Sequence, residues 1–261
     1  MAEKIWFESS TGPRLAGLVD EPEGDVRGWG VFSHGFTLGK DSPAAARICR
    51  QLASEGIGML RFDNLGLGES EGGWGDGSFT VKVDDTIRAV RWMADRGTPA
   101  DLLIGHSFGG AAAIAAASEE NGDDDPIKVN AVVSIGTPSN PAHVERQYEA
   151  VAQRAVEEGR AEWFVGGRAL TIKRDFVEDV RRAHLLDRVT RLGVPLMVMH
   201  SPTDATVDVS SAAAIFNAAL HPRSFVSLEG SDHLLTARGQ AARAARIISA
   251  WADPYLASPS H

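Results

Sequence analysis

The sequence predicts an α/β protein whose mostly parallel sheet is covered by helices on both faces. Two observations support this prediction. Short apolar segments alternate with helical segments over most of the chain after residue 28, and a Gly-x-Ser-x-Gly motif lies between an apolar run and an alanine-rich one. Each crossover between parallel strands places a helix on one face of the sheet, so this alternation favours a doubly wound sheet.

The first part of the chain is strand-like. Residues 4–9 and 14–20 flank the turn sequence STGP, so we expect a hairpin. Residues 28–35, GWGVFSHG, predict a third strand that is apolar enough to be buried. The elements expected next are a helix over 42–56, a strand over 56–63 and a glycine-rich loop over 64–77.

The later elements repeat this pattern. An amphipathic helix is expected from about Thr80 to Arg96. The elements expected after it are strands at 101–107, 129–136, 195–201 and 224–230, with helices at 109–120, 210–220 and 240–251. Residues 1–138 and 192–261 are therefore predicted to form one α/β core.

Residues 139–191 interrupt the alternation. They contain a charged helical stretch over 143–159, a small hairpin over 163–172 and a second helical stretch over 174–189. One interpretation is a surface insertion with solvated charged faces. The other, which we favour, is a cap over the carboxyl ends of the strands, where open α/β sheets bind ligands. The apolar side chains expected to line a pocket under this cap are those of Trp163, Phe164 and Leu170.

Composition limits the classes of function. The chain is 43% hydrophobic and 23% charged, which is ordinary for a globular protein, and its formal net charge of -9 argues against a nucleic-acid partner. The N-terminus lacks the apolar core of a signal peptide, and no apolar stretch is long enough to span a membrane, so we expect a cytoplasmic protein without a membrane partner. The single cysteine, Cys49, lies in an amphipathic helical pattern, which predicts a buried and unreactive thiol.

The motif GHSFG places Ser107 between Gly105 and Gly109 at the predicted junction of a strand and a helix. A serine that is presented on such a sharp bend adopts a strained backbone conformation, and side chains two residues away on either side would clash. A phosphate-binding loop would end in Gly-Lys-Ser/Thr, and a dinucleotide fingerprint would read Gly-x-Gly-x-x-Gly; both patterns are absent. The motif therefore favours a nucleophilic serine.

A serine nucleophile needs a base and an acid that orients the base. Asp204 follows the strand predicted at 195–201, and His233 follows the strand predicted at 224–230. Both residues should lie at the same sheet edge as Ser107, in the chain order serine, acid, histidine. Asp208 is a rival for the acid, but it suits the N-cap of the next helix, so we prefer Asp204.

The other polar candidates fit structural roles better. The histidines at 34, 106 and 200 flank predicted strands, those at 143 and 184 lie in the insertion, and their spacing does not suggest a zinc site. Asp232 is expected to be solvated. Asp63 could be an additional catalytic carboxylate, although we favour a role in holding its glycine-rich loop through backbone amides.

Together these segments resemble the α/β-hydrolase superfamily over nearly the whole chain. The resemblance rests on the sequences SHGF, RFDNLGLGES, GHSFGG, HSPTDATV and GSDHLL. More narrowly, FSHGFTLGKDS, LRFDNLGLGESEG, VGGRALTIKRDF and HSPTDATVD are similar to bacterial hydrolases that also occur fused ahead of an OsmC-type peroxidase domain. That second domain is missing here, so a stand-alone form is expected. Relatives in this subgroup often carry cysteine where this chain has Gly35.

The resemblance implies a serine carboxylesterase that hydrolyses small to medium esters through an acyl-enzyme. Ser107 would be the nucleophile, His233 the general base and acid, and Asp204 the acid that holds the imidazole. The backbone N–H groups of Phe36 and Phe108 would form the oxyanion hole, and neither a metal nor an organic cofactor is needed. The alternatives left open are hydrolysis of an amide, a thioester or a carbon–carbon bond by the same triad, and a non-catalytic ligand-binding protein.

Overall fold

The computed structural model describes residues 2–119 and 127–256. These residues form ten strands, whose bounds in chain order are β1 Ala2–Glu8, β2 Arg14–Asp20, β3 Gly28–Ser33, β4 Ile57–Phe62, β5 Leu102–His106, β6 Ala131–Ile135, β7 Arg160–Val165, β8 Arg168–Lys173, β9 Leu196–His200 and β10 Arg223–Ser227. They also form eight α-helices, namely α1 Pro43–Ser54, α2 Phe79–Asp95, α3 Phe108–Ser118, α4 Glu145–Glu158, α5 Arg174–Arg182, α6 Leu185–Val189, α7 Ser210–Ala218 and α8 Gln240–Ala252.

Eight strands form one sheet in the order β1-β2-β4-β3-β5-β6-β9-β10. The pairs from β4 to β10 are parallel, while β2 is antiparallel to both of its neighbours, β1 and β4. The predicted fold class, α/β with a mostly parallel sheet, is therefore confirmed. Because these parallel strands end at a common edge, the loops that follow β3, β5, β9 and β10 meet there.

Helices cover both faces of the sheet, as the alternation of side chains along the buried strands requires. On β5, Leu103 packs in the cluster that contains residues of α2 and α3, whereas its neighbours Leu102 and Ile104 pack in the cluster that contains residues of α1 and α8. This period of two is the geometry of a strand that is buried on both sides. Cys49 of α1 is fully buried in the second cluster, as predicted.

The predicted helices agree with the observed ones to within a few residues. The helix expected at about 80–96 is α2, which begins after Ser78, whose hydroxyl accepts a hydrogen bond from the Val81 N–H at 3.1 Å. The helix expected at 109–120 is α3; residue 120 lies outside the described residues. No helix in the described ranges is both long enough and apolar enough to cross a bilayer.

Residues 139–191, which are predicted to interrupt the alternation, lie between β6 and β9. A 3-10 turn over Pro141–Val144 leads into α4, which is followed by the hairpin of β7 and β8 and then by α5 and α6. The hairpin is a separate two-stranded antiparallel sheet. The second helical stretch, expected to be continuous over 174–189, is divided at Ala183 and His184, where the backbone of both residues leaves the helical region. We call residues 139–191 the inserted segment.

Candidate active site

Ser107 lies on a sharp bend between β5 and α3. Its φ and ψ are 55° and -124°, a conformation that is strained for a residue with a side chain. The flanking glycines are required by space: a Cβ on Gly105 would meet the Gly109 carbonyl, and a Cβ on Gly109 would meet the backbone oxygens of Ser33 and His34. The bend therefore forms only with glycine at both positions, which is the physical basis of the GHSFG pattern.

The side chains of Ser107, His233 and Asp204 form a continuous hydrogen-bonded chain. His233 Nδ1 lies 2.7 Å from Asp204 Oδ2, and His233 Nε2 lies 3.0 Å from Ser107 Oγ. Since a carboxylate only accepts, Nδ1 carries the proton and donates to Asp204, which leaves Nε2 to accept from the serine hydroxyl. The three residues come from the loops after β5, β9 and β10, so the parallel sheet brings them to one edge.

Asp204 is held as a carboxylate by several donors. Its Oδ1 accepts hydrogen bonds from the backbone N–H groups of Thr206 at 2.8 Å and Val207 at 2.9 Å. Burial opposes ionisation, but the hydrogen bond from His233 and those from the two amides outweigh it, so the pKa of Asp204 lies below its ordinary value. A buried carboxylate that stays charged can orient an imidazole and stabilise its protonated form.

Asp208, the rival acid, has a different environment. It is exposed at the start of α7, where its Oδ1 accepts from the Ser210 N–H at 2.8 Å. Asp232, the neighbour of His233, is also exposed and accepts from the Leu234 and Thr236 amides. Neither carboxylate takes part in the chain of hydrogen bonds that contains Ser107.

Two other histidines position the loops around Ser107. His106 Nε2 donates to the His233 carbonyl oxygen at 2.7 Å. His34 Nδ1 donates to the Gly35 carbonyl at 2.8 Å, and its Nε2 accepts from the Asn64 N–H at 3.2 Å. Burial lowers the pKa of His106 to about 4 and that of His34 well below its ordinary value, so both rings are neutral at pH 7.

Phe36 and Phe108 lie together beside the bend, with ring centroids 5.6 Å apart. Phe108 is the first residue of α3, a position whose N–H has no acceptor within the helix. The Phe36 ring is surrounded by five other rings at centroid distances of 5.6–6.0 Å. We call this set the aromatic cluster; its members are Phe36, Trp74, Phe108, Tyr148, Trp163 and Phe176.

The three residues predicted to line a pocket do not all face the same side of the hairpin. Trp163 stacks on Phe36 at 5.9 Å, and Leu170, its partner across the β7–β8 hairpin, is buried. Phe164 is 77% exposed, because successive side chains of a strand point to opposite faces and Trp163 takes the inner one. The structure therefore does not place Phe164 at the site.

The Asp63 carboxylate holds its own loop. Its oxygens accept from the backbone N–H groups of Lys40 at 2.7 Å and Glu69 at 3.0 Å, and from Lys40 Nζ at 2.6 Å. These contacts correspond to the loop-holding role favoured from the sequence. With the carboxylate bound in this way, the loop after β4 is fixed against the loop after β3.

Sequence reasoning missed three features of this region. Tyr148 and Phe176 bring the aromatic cluster together from α4 and α5, and Lys82 of α2 is 4% exposed close to it. Lys82 follows the buried Phe79 by three residues and precedes the buried Thr86 by four. This helical spacing predicts that Lys82 lies on the inner face of α2. Among residues 2–119 and 127–256, no group of His, Cys, Asp and Glu side chains is arranged to hold a metal ion.

The fold, the bend at Ser107 and the serine–histidine–aspartate geometry are those of an α/β hydrolase, and the sequence matches the α/β-hydrolase fold family over residues 31–162. The chain belongs to this family and is a hydrolase. No curated protein sequence matched the chain. It is 35% identical to the esterase domain of a Rhodothermus marinus protein, with a TM-score of 0.75, over 98% of this chain and 100% of that one.

Two further solved structures show the same fold at lower identity. Est1E from Butyrivibrio proteoclasticus, solved with ferulic acid bound, is 18% identical with a TM-score of 0.73 over 96% of this chain and 97% of its own. Dienelactone hydrolase from Anabaena variabilis is 18% identical with a TM-score of 0.67 over 98% of this chain and 99% of its own. Esterases are thus among the structural relatives of this hydrolase.

Proposed function

We propose that the protein is a serine carboxylesterase that hydrolyses small to medium carboxylic esters through an acyl-enzyme. The observation that carries the proposal is the hydrogen-bonded chain from Ser107 Oγ through the His233 ring to Asp204, at 3.0 and 2.7 Å. A serine hydroxyl becomes nucleophilic when a base accepts its proton, and here the base is already oriented by a buried carboxylate.

In the proposed mechanism, Ser107 Oγ attacks the ester carbonyl while its proton passes to His233 Nε2. Asp204 stabilises the imidazolium that forms, and the imidazolium then protonates the leaving alcohol. The Phe36 and Phe108 N–H groups hold the oxyanion; loss of one such donor typically costs about 10²–10³ in rate. A water molecule, activated by His233, then attacks the acyl-enzyme and releases the acid.

The inserted segment supports a preference for small acyl groups, and we propose that it acts as a cap. Tyr148, Trp163 and Phe176 all belong to it and pack around Phe36. A cavity of about 40 Å³ remains beside Phe36 and Phe108. A space of this size favours a group of a few atoms over a long acyl chain.

A fluorophosphonate probe tests the nucleophile. The wild type should be labelled at Ser107, and Ser107→Ala should be unlabelled, with kcat/KM for p-nitrophenyl acetate lower by about 10⁴-fold or more. The matched control for labelling is Ser201→Ala, which changes a buried serine outside the hydrogen-bonded chain of Ser107. This variant should still be labelled at Ser107. Retention of activity in Ser107→Ala would refute the mechanism.

Acyl-chain selectivity is measured with p-nitrophenyl esters from acetate to palmitate. We expect kcat/KM to be highest for acetate to hexanoate and to fall by at least about tenfold at palmitate, because the aromatic cluster fills most of the space around Phe36. A maximum at long chains would contradict the proposed small acyl pocket.

We further propose that the chain is related to the hydrolase halves of the OsmC-type fusion proteins. A cysteine at position 35, common in that subgroup, would place its Cβ 3.4 Å from the Cβ of Ser107. The glycine found here leaves that space beside the nucleophile open.

A further inference from the structure

The side chain of Lys82 lies buried beside the aromatic cluster without a hydrogen-bond partner. Its residue is 4% exposed, and its Nζ contacts no acceptor among the described residues. Asp85, one turn further along α2, is engaged elsewhere: its Oδ1 accepts from the Ser9 hydroxyl and from the Ser10 N–H and hydroxyl. A buried amine without a partner is costly to a folded protein, so its presence calls for a ligand.

The amine borders the cavity of about 40 Å³ described above. Phe36 and Phe108, whose amides are the proposed oxyanion donors, line this cavity together with Lys82, Asn64 and Thr37. Its volume exceeds the roughly 10–15 Å³ that one water molecule requires. The cavity thus lies between the buried amine and the two residues whose amides are the proposed oxyanion donors.

Two more features of the lining point to a ligand. Asn64 Oδ1 is a buried acceptor, and it too is without a partner among the described residues. Thr37 has a φ of 55°, which is strained for a β-branched residue and is retained mainly at functional sites. Asp85 and Ser78 also line the cavity, but Asp85 Oδ1 is bound to Ser9 and Ser10, and the Ser78 hydroxyl accepts from the Val81 N–H. Among the described residues, the buried and unpartnered polar side-chain atoms of the lining are therefore one donor, Lys82 Nζ, and one acceptor, Asn64 Oδ1.

We propose that this cavity is a subsite for a hydroxyl group on the acyl chain of the ester, bound between Lys82 Nζ and Asn64 Oδ1. A hydroxyl accepts a hydrogen bond from the amine and donates one to the amide oxygen, so it satisfies both orphaned atoms at once. The substrate class is thus hydroxyacyl esters, which deepens the carboxylesterase proposal and rests on it.

Other small groups match the lining less well. A carboxylate could pair with Lys82, but its other oxygen would face Asn64 Oδ1. Two acceptor oxygens facing each other repel, so a carboxylate matches the lining poorly. A methyl group would leave both polar atoms unpaired in a buried space. Burial lowers the pKa of Lys82 to about 7, so at neutral pH the amine carries its positive charge only about half of the time, which weakens its selection for a carboxylate.

The test compares kcat/KM for methyl butyrate with that for methyl 2-hydroxybutyrate and methyl 3-hydroxybutyrate, each as separate enantiomers, in a pH-stat assay. In the wild type, at least one hydroxy ester should be preferred over butyrate by about tenfold or more, as expected for a site built to hydrogen-bond a hydroxyl. In Lys82→Met, which keeps the length of the side chain and removes the amine, that ratio should fall to about 1.

Lys128→Met is the matched control, since Lys128 is exposed shortly before β6, away from the carboxyl edge of the sheet. It should keep the wild-type ratio. Asn64→Leu removes the acceptor and should lower the same ratio. Lys82→Met and Asn64→Leu thus report on the subsite independently. Thermal melts check that each variant is folded.

A wild-type ratio at or below 1 for every hydroxy ester overturns the proposal, whatever the variants do, and so does an unchanged ratio in folded Lys82→Met. Either result leaves the carboxylesterase intact if the plain butyrate ester is hydrolysed. The absence of hydrolysis for all esters, with Ser107 unlabelled by fluorophosphonate, would instead refute the proposed function itself.

Discussion

The two aspartates after β9 are separated by four positions in the sequence, but their carboxylates have different partners. The Asp204 side chain is buried and contacts His233, whereas Asp208 is exposed and contacts the start of α7. Both are short acidic side chains in one loop, so composition does not distinguish them. The distinction comes from which carboxylate faces the imidazole.

The variants Asp204→Asn and Asp208→Asn test this distinction. Asn at 204 presents either a carbonyl or an N–H to His233 Nδ1, and it removes the charge that stabilises the imidazolium, so kcat should fall by about 10⁴-fold. Asn at 208 can still accept from the Ser210 N–H at the start of α7 and lies away from His233, so kcat should change by less than about twofold. The measurement is steady-state hydrolysis of p-nitrophenyl acetate; equal losses in the two variants would contradict the assignment of Asp204.

Some of these candidate residues can be predicted from the sequence, and others cannot. Ser107, Asp204 and His233 can be predicted as candidates because each follows a predicted strand and because their chain order is the one that α/β hydrolases use. Lys82 lies on a helix whose spacing places it inward, but a lysine is expected to extend its amine to solvent. Only the packing of the inserted segment over α2 and the neighbouring loops shows that this amine is buried.

Among the elements, the β7–β8 hairpin places one aromatic face towards the core of the site. Trp163 and Phe164 are adjacent, and both are aromatic, so their sequence gives no reason to separate them. In the structure, Trp163 contacts Phe36, Trp74 and Tyr148, while Phe164 faces solvent. The direction of each side chain depends on which face of the hairpin meets Phe36, and this is decided by tertiary packing.

Trp163→Ala and Phe164→Ala form a matched pair on one strand. Trp163→Ala removes a ring that stacks on Phe36, so we expect a loss of about 2 kcal/mol in the free energy of unfolding and about tenfold in kcat/KM. Phe164→Ala should change the stability by less than about 0.5 kcal/mol. Chemical denaturation and ester hydrolysis measure both quantities; equal effects would show that the hairpin does not pack as described.

For the molecule as a whole, buried neutral histidines make stability depend on pH. The pKa of His106 is lowered from 6.5 to about 4, chiefly by burial and then by the charge of His233. Between these two values the unfolded chain binds a proton that the folded chain does not bind. The stability contributed by the neutral ring is therefore complete above pH 6.5 and is lost as the pH falls to about 4.

His106→Gln isolates this contribution, because glutamine does not titrate but can still donate to the His233 carbonyl. The stability of the wild type relative to His106→Gln should decrease by on the order of 3 kcal/mol between pH 7 and pH 4. Urea denaturation at a series of pH values measures this difference. A difference that stays constant over the range would show that His106 is not a buried neutral ring.

The architecture of the whole chain was the part best predicted from the sequence. Alternating strands and helices dictate a parallel sheet, and a parallel sheet dictates that its carboxyl-end loops converge. The inserted segment is less readable, since its charged helices fit a solvated surface as well as a cap. Its three aromatic rings over Phe36 are brought together by contacts between elements that are distant in the sequence.

The burial of Cys49 gives this protein an internal reporter of its own opening. The thiol is the only one in the chain, it lies between α1 and the sheet, and burial raises its pKa, so it is shielded from an alkylating or disulfide reagent in the native state. Reaction with such a reagent requires α1 to separate from the strands. The rate of thiol modification under native conditions therefore measures how often this half of the core opens, without any label or substitution.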